Sequence, residues 1–323
     1  MKHNRSKKYL FLLIYFFISG FIFAIGRQDS SQNTICVIRG PSSVGMIRLF
    51  ENPPVINGIS VKVEALANQD LMASRFIAGE ISAGILPPNL AAKIASSGKD
   101  LRAAAVIGNG MLSLLTSDDS IKSIADLKGK TVEVAGQGAT PDYVFRKILS
   151  ANGIAPDSDL RLGYSLAYPE MAQSLIAGRI STALFPEPFA TMALLGRHSL
   201  RPVFDVQAEW ARTGGSENYP MTLLVFDGAF AAANPGAVQV IMSAVKDSIE
   251  WVRRNPAEAG TLVEKHELGL RAHIVAASVQ KSNYVFIPAA EARPSIEALL
   301  KVFYEYAPVS IGGALPSDGF YLK

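Results

Sequence analysis

The chain is short of cysteine: one residue in 323, Cys36. A single thiol closes no internal disulfide, and without a Cys-x-x-Cys pair there is no thiolate zinc or dithiol redox motif. Histidine is nearly as scarce. His3 lies in the leader, and His198, His266 and His273 fall in helical or connecting segments with no glutamate at metal-ligand spacing. The Gly-x-Ser-x-Gly elbow and the Walker phosphate loop are both missing. Gly136-Gln-Gly-Ala-Thr-Pro141 matches a dinucleotide fingerprint only at its first two glycines. No resident metal or cofactor is expected. No stretch interleaves Lys or Arg with aromatic residues, and no low-complexity linker divides the chain.

Long apolar runs are absent too, with one exception. Met1–Lys8 carries Lys2, Arg5, Lys7 and Lys8 with no acidic residue, and Tyr9–Ile25 is apolar apart from Ser19 and Gly20. Ala24-Ile25-Gly26 then supplies small residues for cleavage after Gly26. This is the pattern of a secretory signal peptide over residues 1–26. The alternative is an uncleaved N-terminal membrane anchor, because about 17 apolar residues is the shortest length that spans a bilayer. No Cys stands near the end of the run to take a lipid. The formal charge is +3 with the leader; without its four cations, 27 Lys and Arg face 28 Asp and Glu. The basic balance therefore belongs to the leader, and no nucleic-acid partner is indicated. Cys36, within Thr34-Ile-Cys-Val-Ile38, reads as a small buried hydrophobe.

What the chain does contain is a repeat of itself. Met72–Ala91 reads MASRFIAGEISAGILPPNLA and Met171–Ala190 reads MAQSLIAGRISTALFPEPFA. The two align without a gap at an offset of 99, with 9 of 20 positions identical. A period near 100 is too long for a solenoid. It fits two lobes of one α/β design, and clefts between domains are favoured ligand sites.

Strand and helix signals alternate through both halves. Strands are predicted at Thr34–Arg39, Val61–Ala65 and Ile81–Leu86, with a helix from Gly40 through about Phe50 capped by a serine. A further helix over Asp70–Ala78 stops at Gly79. The second half shows strands at Lys130–Ala135, Leu160–Tyr164 and Ile180–Phe185. Its helices start at Thr140-Pro141, with Thr140 as N-cap, at Pro169 and at Pro188. This β-α-β-α-β order predicts parallel, doubly wound sheets. Met221–Phe226 returns as a strand, and Ala237–Arg254 and Ala290–Tyr306 are amphipathic helices. The expected division is 27–115 plus 224–323 for the first lobe and 116–223 for the second, with two crossover segments.

In doubly wound sheets ligands bind outside the carboxyl ends of the strands. Four loops lie there: Arg39–Ser43, Leu86–Asn89, Gly136–Pro141 and Phe185–Pro188. Each precedes a helix N-terminus, where unpaired N–H groups and the helix dipole favour acceptors. The candidate ligand contacts are Arg39, Pro41, Ser42, Ser43, Pro87, Asn89, Asn109, Gln137, Gly138, Ala139, Thr140, Tyr168, Phe185, Glu187 and Tyr219. Structural alternatives stand beside them. Ser42, Ser43 and Thr140 are also helix caps, Arg39 can pair with a carboxylate, and Tyr168, Phe185 and Tyr219 can fill a core. Glu187, between two prolines, either binds ligand N–H groups or locks the interlobe hinge. Trp210 reads as core. No residue is a candidate catalyst.

Several stretches carry a resemblance to a known family. They are Ser123-Ile-Ala-Asp-Leu-Lys-Gly-Lys-Thr-Val132, Gly136–Pro141, Leu175-Ile-Ala-Gly-Arg-Ile-Ser181, Pro186-Glu-Pro-Phe-Ala-Thr191, Glu250-Trp251 to Asn255-Pro-Ala-Glu-Ala259, and the tail Ser310–Tyr321. In this order the chain resembles the extracytoplasmic substrate-binding proteins of ABC importers, in the NMT1-like group of nitrate, sulfonate, taurine, riboflavin and thiamine-precursor binders. The resemblance implies a bilobed type II periplasmic binding protein fold that closes on a small molecule. It also implies a monomer delivering that ligand to a membrane permease with a cytoplasmic ATPase, from a periplasmic or other extracytoplasmic location. It does not name the ligand; nearby aromatics and Glu187 incline the reading to a small organic molecule over nitrate. Two other classes compete. Enzymes of thiamine-pyrimidine and menaquinone synthesis share the fold, but the former carry a cysteine-rich motif and the latter lack a leader. A ligand-sensing ectodomain would need an anchor and a signalling module.

Overall fold

The computed structural model describes residues 34–213 and 215–323. The expected leader and its cleavage point lie outside them. No described helix is long and apolar enough to cross a membrane.

Thirteen strands are described: β1 (Thr34–Ile38), β2 (Val55–Ile56), β3 (Ile59–Ser60), β4 (Lys62–Leu66), β5 (Ala83–Leu86), β6 (Leu101–Gly108), β7 (Leu112–Thr116), β8 (Thr131–Val134), β9 (Arg161–Gly163), β10 (Thr182–Pro186), β11 (Arg201–Pro202), β12 (Thr222–Asp227) and β13 (Tyr284–Pro288). Apart from the small hairpin β2–β3, they form two sheets, β13-β6-β12-β5-β1-β4 and β11-β7-β10-β8-β9. The two share one plan. In the first, β4, β1 and β5 are parallel and β12 runs antiparallel beside β5. In the second, β9, β8 and β10 are parallel and β7 runs antiparallel beside β10. Helices cover the sheets, giving the doubly wound, two-lobed α/β architecture the repeat predicts.

The repeat itself is a helix–strand–helix unit, once per lobe. Residues 72–91 run through the helix Gln69–Ile77, β5 and the start of the helix Pro88–Ser96. Residues 171–190 run through the helix Tyr168–Ile176, β10 and the start of the helix Phe189–Gly196. The repeated Ile-Ala-Gly has a mechanical cause. Gly79 and Gly178 take φ of +72° and +73°. Their N–H groups donate to Phe76 and Leu175, while the next N–H, of Glu80 or Arg179, reaches Arg75 or Ser174. Both helices thus end in the same Schellman turn, which needs a left-handed residue that glycine supplies without a Cβ clash. Met72 and Met171, and Ala91 and Ala190, have no exposed surface and pack each unit on its sheet. Gly84 is required by close approach: a β-carbon there would lie 2.8 Å from the Met72 sulfur.

Three local expectations change. The helix from Gly40 to Phe50 is two single turns, Pro41–Val44 and Arg48–Glu51, and no serine caps it. Gly40 is the N-cap, and the Ser43 hydroxyl turns back to donate to its carbonyl at 2.8 Å. Thr140 is the first residue inside its helix rather than the cap, because Ala139 is the residue in extended conformation. The passage from first to second sheet falls between Gly108 and Leu112, upstream of residue 115, because Leu112–Thr116 pairs along β10. The return falls between Pro202 and Thr222.

Cys36 is fully buried in β1. Burial pushes its thiol up to about 12, with Arg75 and Glu64 acting in opposite senses. It stays a protonated core residue, as its sequence setting implied.

Candidate functional site

The crossover segments are pinned to each other and to the sheet ends. The Asn109 N–H donates to the Asn283 carbonyl at 3.2 Å, and the Asn283 side chain donates to the Gly110 carbonyl at 3.0 Å. Met221 N–H reaches the Gly108 carbonyl at 2.8 Å, and Leu112 N–H the Tyr219 hydroxyl at 3.4 Å. A β-carbon on Gly110 would lie 2.4 Å from the Tyr219 ring, so only glycine fits that turn. Tyr219 has no exposed surface and meets Trp210 edge-on, with centroids 5.4 Å apart. Its ring supports the crossover from within the core and offers no face to a ligand. Phe185, in β10, is likewise fully buried. Phe185 and Tyr219, two of the three expected aromatic contacts, are core residues: every residue of β10 is buried, and the Tyr219 ring packs against Trp210. Asn109 is 3 % exposed and sits in the crossover.

At the carboxyl end of β8, Gly136 and Gly138 take φ of +81° and +74° and turn the chain into the helix Thr140–Ala151. The Gly138 N–H donates to Asp142 Oδ2 at 2.8 Å, tying the loop to the first helical turn. Gln137 is exposed, and Gly138 and Ala139 are half-buried. Thr140 is 3 % exposed, and its hydroxyl has no hydrogen-bond partner among the described residues. A buried hydroxyl without a partner is uncommon.

The neighbouring parallel strand, β10, ends at Pro186, and Glu187 leads into the helix Phe189–Gly196. Glu187 is 2 % exposed. Its carboxylate accepts the Thr191 N–H at 3.0 Å, and its own N–H donates to the Met111 carbonyl at 3.0 Å. Its backbone N–H thus fastens it to the crossover, and its carboxylate holds the first turn of the following helix. Burial pushes its carboxyl above the ordinary range, opposed by Thr191 and by the charge of Lys281. Tyr168, first residue of its helix after β9, is half-buried and stacks on Phe189, with centroids 5.4 Å apart and planes 20° from parallel.

In the first lobe, Arg39 follows β1, is exposed, and makes no ion pair among the described residues. Pro41 and Ser42 are half-buried, and Ser43 is fully buried. The Pro41 carbonyl accepts the Tyr284 hydroxyl at 2.9 Å, so this turn is held from β13, a strand the sequence did not announce. Pro87 is the N-cap and Asn89 lies in the first turn of the helix Pro88–Ser96, its Oδ1 buried without a partner.

The structure thus places Gln137, Gly138, Ala139, Thr140, Tyr168 and Glu187 past the carboxyl ends of β8, β9 and β10, and Arg39, Pro41, Ser42, Pro87 and Asn89 past those of β1 and β5. It withdraws Phe185 and Tyr219 into the core. Sequence reading missed Asp142, Arg146 and Tyr164, which back the Gly138 loop. Arg146 Nε pairs with Asp142 at 2.7 Å, and the Tyr164 hydroxyl donates to the same carboxylate at 2.6 Å. An Asp-x-x-x-Arg pair at helical i,i+4 spacing was the available signal.

Two lobes of this plan, joined by two crossovers with helix N-termini at the inner strand ends, are the fold of the periplasmic binding proteins that serve ABC importers. The family model described as NMT1/THI5 like matches residues 56–259, more than half of the chain, and the chain belongs to that family. Among solved structures, an ABC transporter protein from Parabacteroides distasonis is 25% identical, with a TM-score of 0.78 over 91% of this chain and 99% of its own. The periplasmic aliphatic sulphonate-binding protein SsuA from Escherichia coli is 16% identical, with a TM-score of 0.71 over 91% of this chain and 92% of its own. The periplasmic nitrate-binding protein NrtA from Synechocystis PCC 6803 is 12% identical, with a TM-score of 0.61 over 88% and 84%. The last two share the fold. No curated protein sequence matches this chain significantly.

Proposed function

We propose that this protein is an extracytoplasmic solute-binding protein that captures one small organic molecule between its lobes. It hands that molecule to the membrane permease of an ABC importer driven by a cytoplasmic ATPase. On this reading it acts as a monomer, by capture and release without bond chemistry, and reaches the periplasm or its equivalent through the leader. Family and fold support the transport role. The observation that carries the placement of the ligand is the Thr140 hydroxyl, 3 % exposed and unpartnered at the start of a helix. It lies at the carboxyl edge of β8, where doubly wound sheets bind ligands. Asn89, Gln137, Gly138, Ala139, Tyr168 and Arg39 complete the proposed site, with Glu187 behind it. A molecule touching both lobes favours the closed arrangement by its differential affinity for that state.

Native mass spectrometry of the exported protein, purified without denaturation, tests this. A retained small-molecule mass supports the reading. A bare protein that also shows no thermal shift with sulfonates, vitamins or pyrimidines refutes it.

A further inference from the structure

Helix N-termini at inner strand ends invite an oxoanion. In the second lobe the chain has put its own carboxylates there. Asp142 is 2 % exposed at the third position of the helix Thr140–Ala151. One of its oxygens takes the Gly138 N–H at 2.8 Å, the type of donor an incoming anion would use. The other is held by Arg146 Nε at 2.7 Å and by the Tyr164 hydroxyl at 2.6 Å. Arg146 also pairs with Asp157 at 2.6 Å and donates to the Tyr164 oxygen at 2.8 Å, so two carboxylates share one guanidinium. The adjacent helix repeats the device, with Glu187 on the Thr191 N–H. Beside Asp142, the buried Thr140 hydroxyl has no partner. The Gly138 N–H is thus already taken by a carboxylate, while the Thr140 hydroxyl is not taken.

Resting on the binding role above, we propose that Asp142 is a specificity-determining residue. Its carboxylate occupies the anion position of the Gly136–Thr140 loop, so the cleft rejects small oxoanions and takes an uncharged or cationic molecule. The charge that would have to move is fixed: the carboxylate is buried, bonded on both oxygens and part of the helix.

The test is calorimetric titration of the mature protein with sodium nitrate and with sodium methanesulfonate, for wild type, Asp142→Asn and Tyr164→Phe. Wild type is expected to give no saturable binding of either anion. Asp142→Asn keeps an acceptor for Gly138 and removes one of the two negative charges that share Arg146, so anion affinity is expected to rise roughly tenfold or more. Tyr164→Phe keeps the carboxylate charge and is expected to go on rejecting both anions. A merely structural Asp142 would lower stability without changing selectivity. Saturable binding of either anion to wild type overturns the proposal whether or not Asp142→Asn folds. So does a folded Asp142→Asn that gains nothing. A strongly acidic molecule retained by the native protein in mass spectrometry would uphold the binding role and overturn the selectivity proposed here.

Discussion

Tyr143, in the second lobe, stacks on Tyr306, in the C-terminal helix of the first, with ring centroids 5.7 Å apart and planes 21° from parallel. Phe303 meets the same Tyr143 ring edge-on at 4.8 Å. Lys147 pairs with Glu305 at 3.1 Å one turn along, and Ser150 bonds the Tyr306 hydroxyl at 3.2 Å. The lobes are therefore joined by an aromatic contact as well as by the crossovers. Its aromatic part outweighs its ionic part, because the ion pair is half-exposed and screened. Tyr143→Ala is expected to cost about 1–3 kcal/mol in urea unfolding. Lys147→Ala is expected to change stability by less than about 0.5 kcal/mol. Equal costs for the two variants would contradict this ranking.

Glu187 gives the fold a pH dependence of definite sign. Burial raises its carboxyl above the ordinary range, and the Thr191 N–H and Lys281 only partly offset that. A raised folded-state value stabilises at acid pH, where the group is protonated in both states, and that advantage is lost as pH rises through the raised value. Glu187→Gln keeps an acceptor for Thr191 and does not titrate. The melting temperature of wild type minus that of Glu187→Gln is expected to fall as pH rises from about 4 to neutrality. A flat difference, or one that grows with pH, would show that Glu187 is not held up by burial.

The paired glycines make a third prediction. Gly79→Ala and Gly178→Ala each force a β-carbon into a left-handed turn, at φ of +72° and +73°. The expected loss is about 1–2 kcal/mol for each, similar in the two lobes because the turns are the same. Independent sites this far apart in the fold are expected to add in the double variant. Chemical denaturation of the three variants measures it, and a loss confined to one lobe would break the equivalence.

That equivalence is also why so much of the fold was legible. Ile-Ala-Gly recurs because a Schellman turn constrains three consecutive residues locally, and Met72 and Met171 recur because each unit buries the same spot on its sheet. Local rules of this sort reach the parallel strands and their helices. They do not reach β13, Tyr284–Pro288, which is placed by antiparallel pairing with β6, far away in sequence. The site divided in the same way. Loops at strand ends were identifiable by position, which is why Gln137, Gly138 and Asn89 were candidates. Whether Phe185 and Tyr219 faced a ligand or the core depended on tertiary packing, and Asp142 was hidden because its role lies in a bond back to Gly138.

Thr140 separates stability from binding. Its hydroxyl is buried without a partner, and an unsatisfied buried polar group costs about 1–3 kcal/mol. Replacing it with an apolar group of the same shape removes that cost, so Thr140→Val is expected to leave the free protein as stable as wild type or more so. The same change deletes the group proposed to meet the ligand, and affinity for the molecule recovered from the native protein is expected to fall about tenfold, one hydrogen bond's worth. Gln137→Ala, on an exposed side chain, is expected to weaken binding with no gain in stability. Thermal melts of the free proteins and calorimetry with the recovered ligand supply both readouts. A Thr140→Val protein that is less stable yet binds normally would place that hydroxyl in the fold and move the ligand elsewhere.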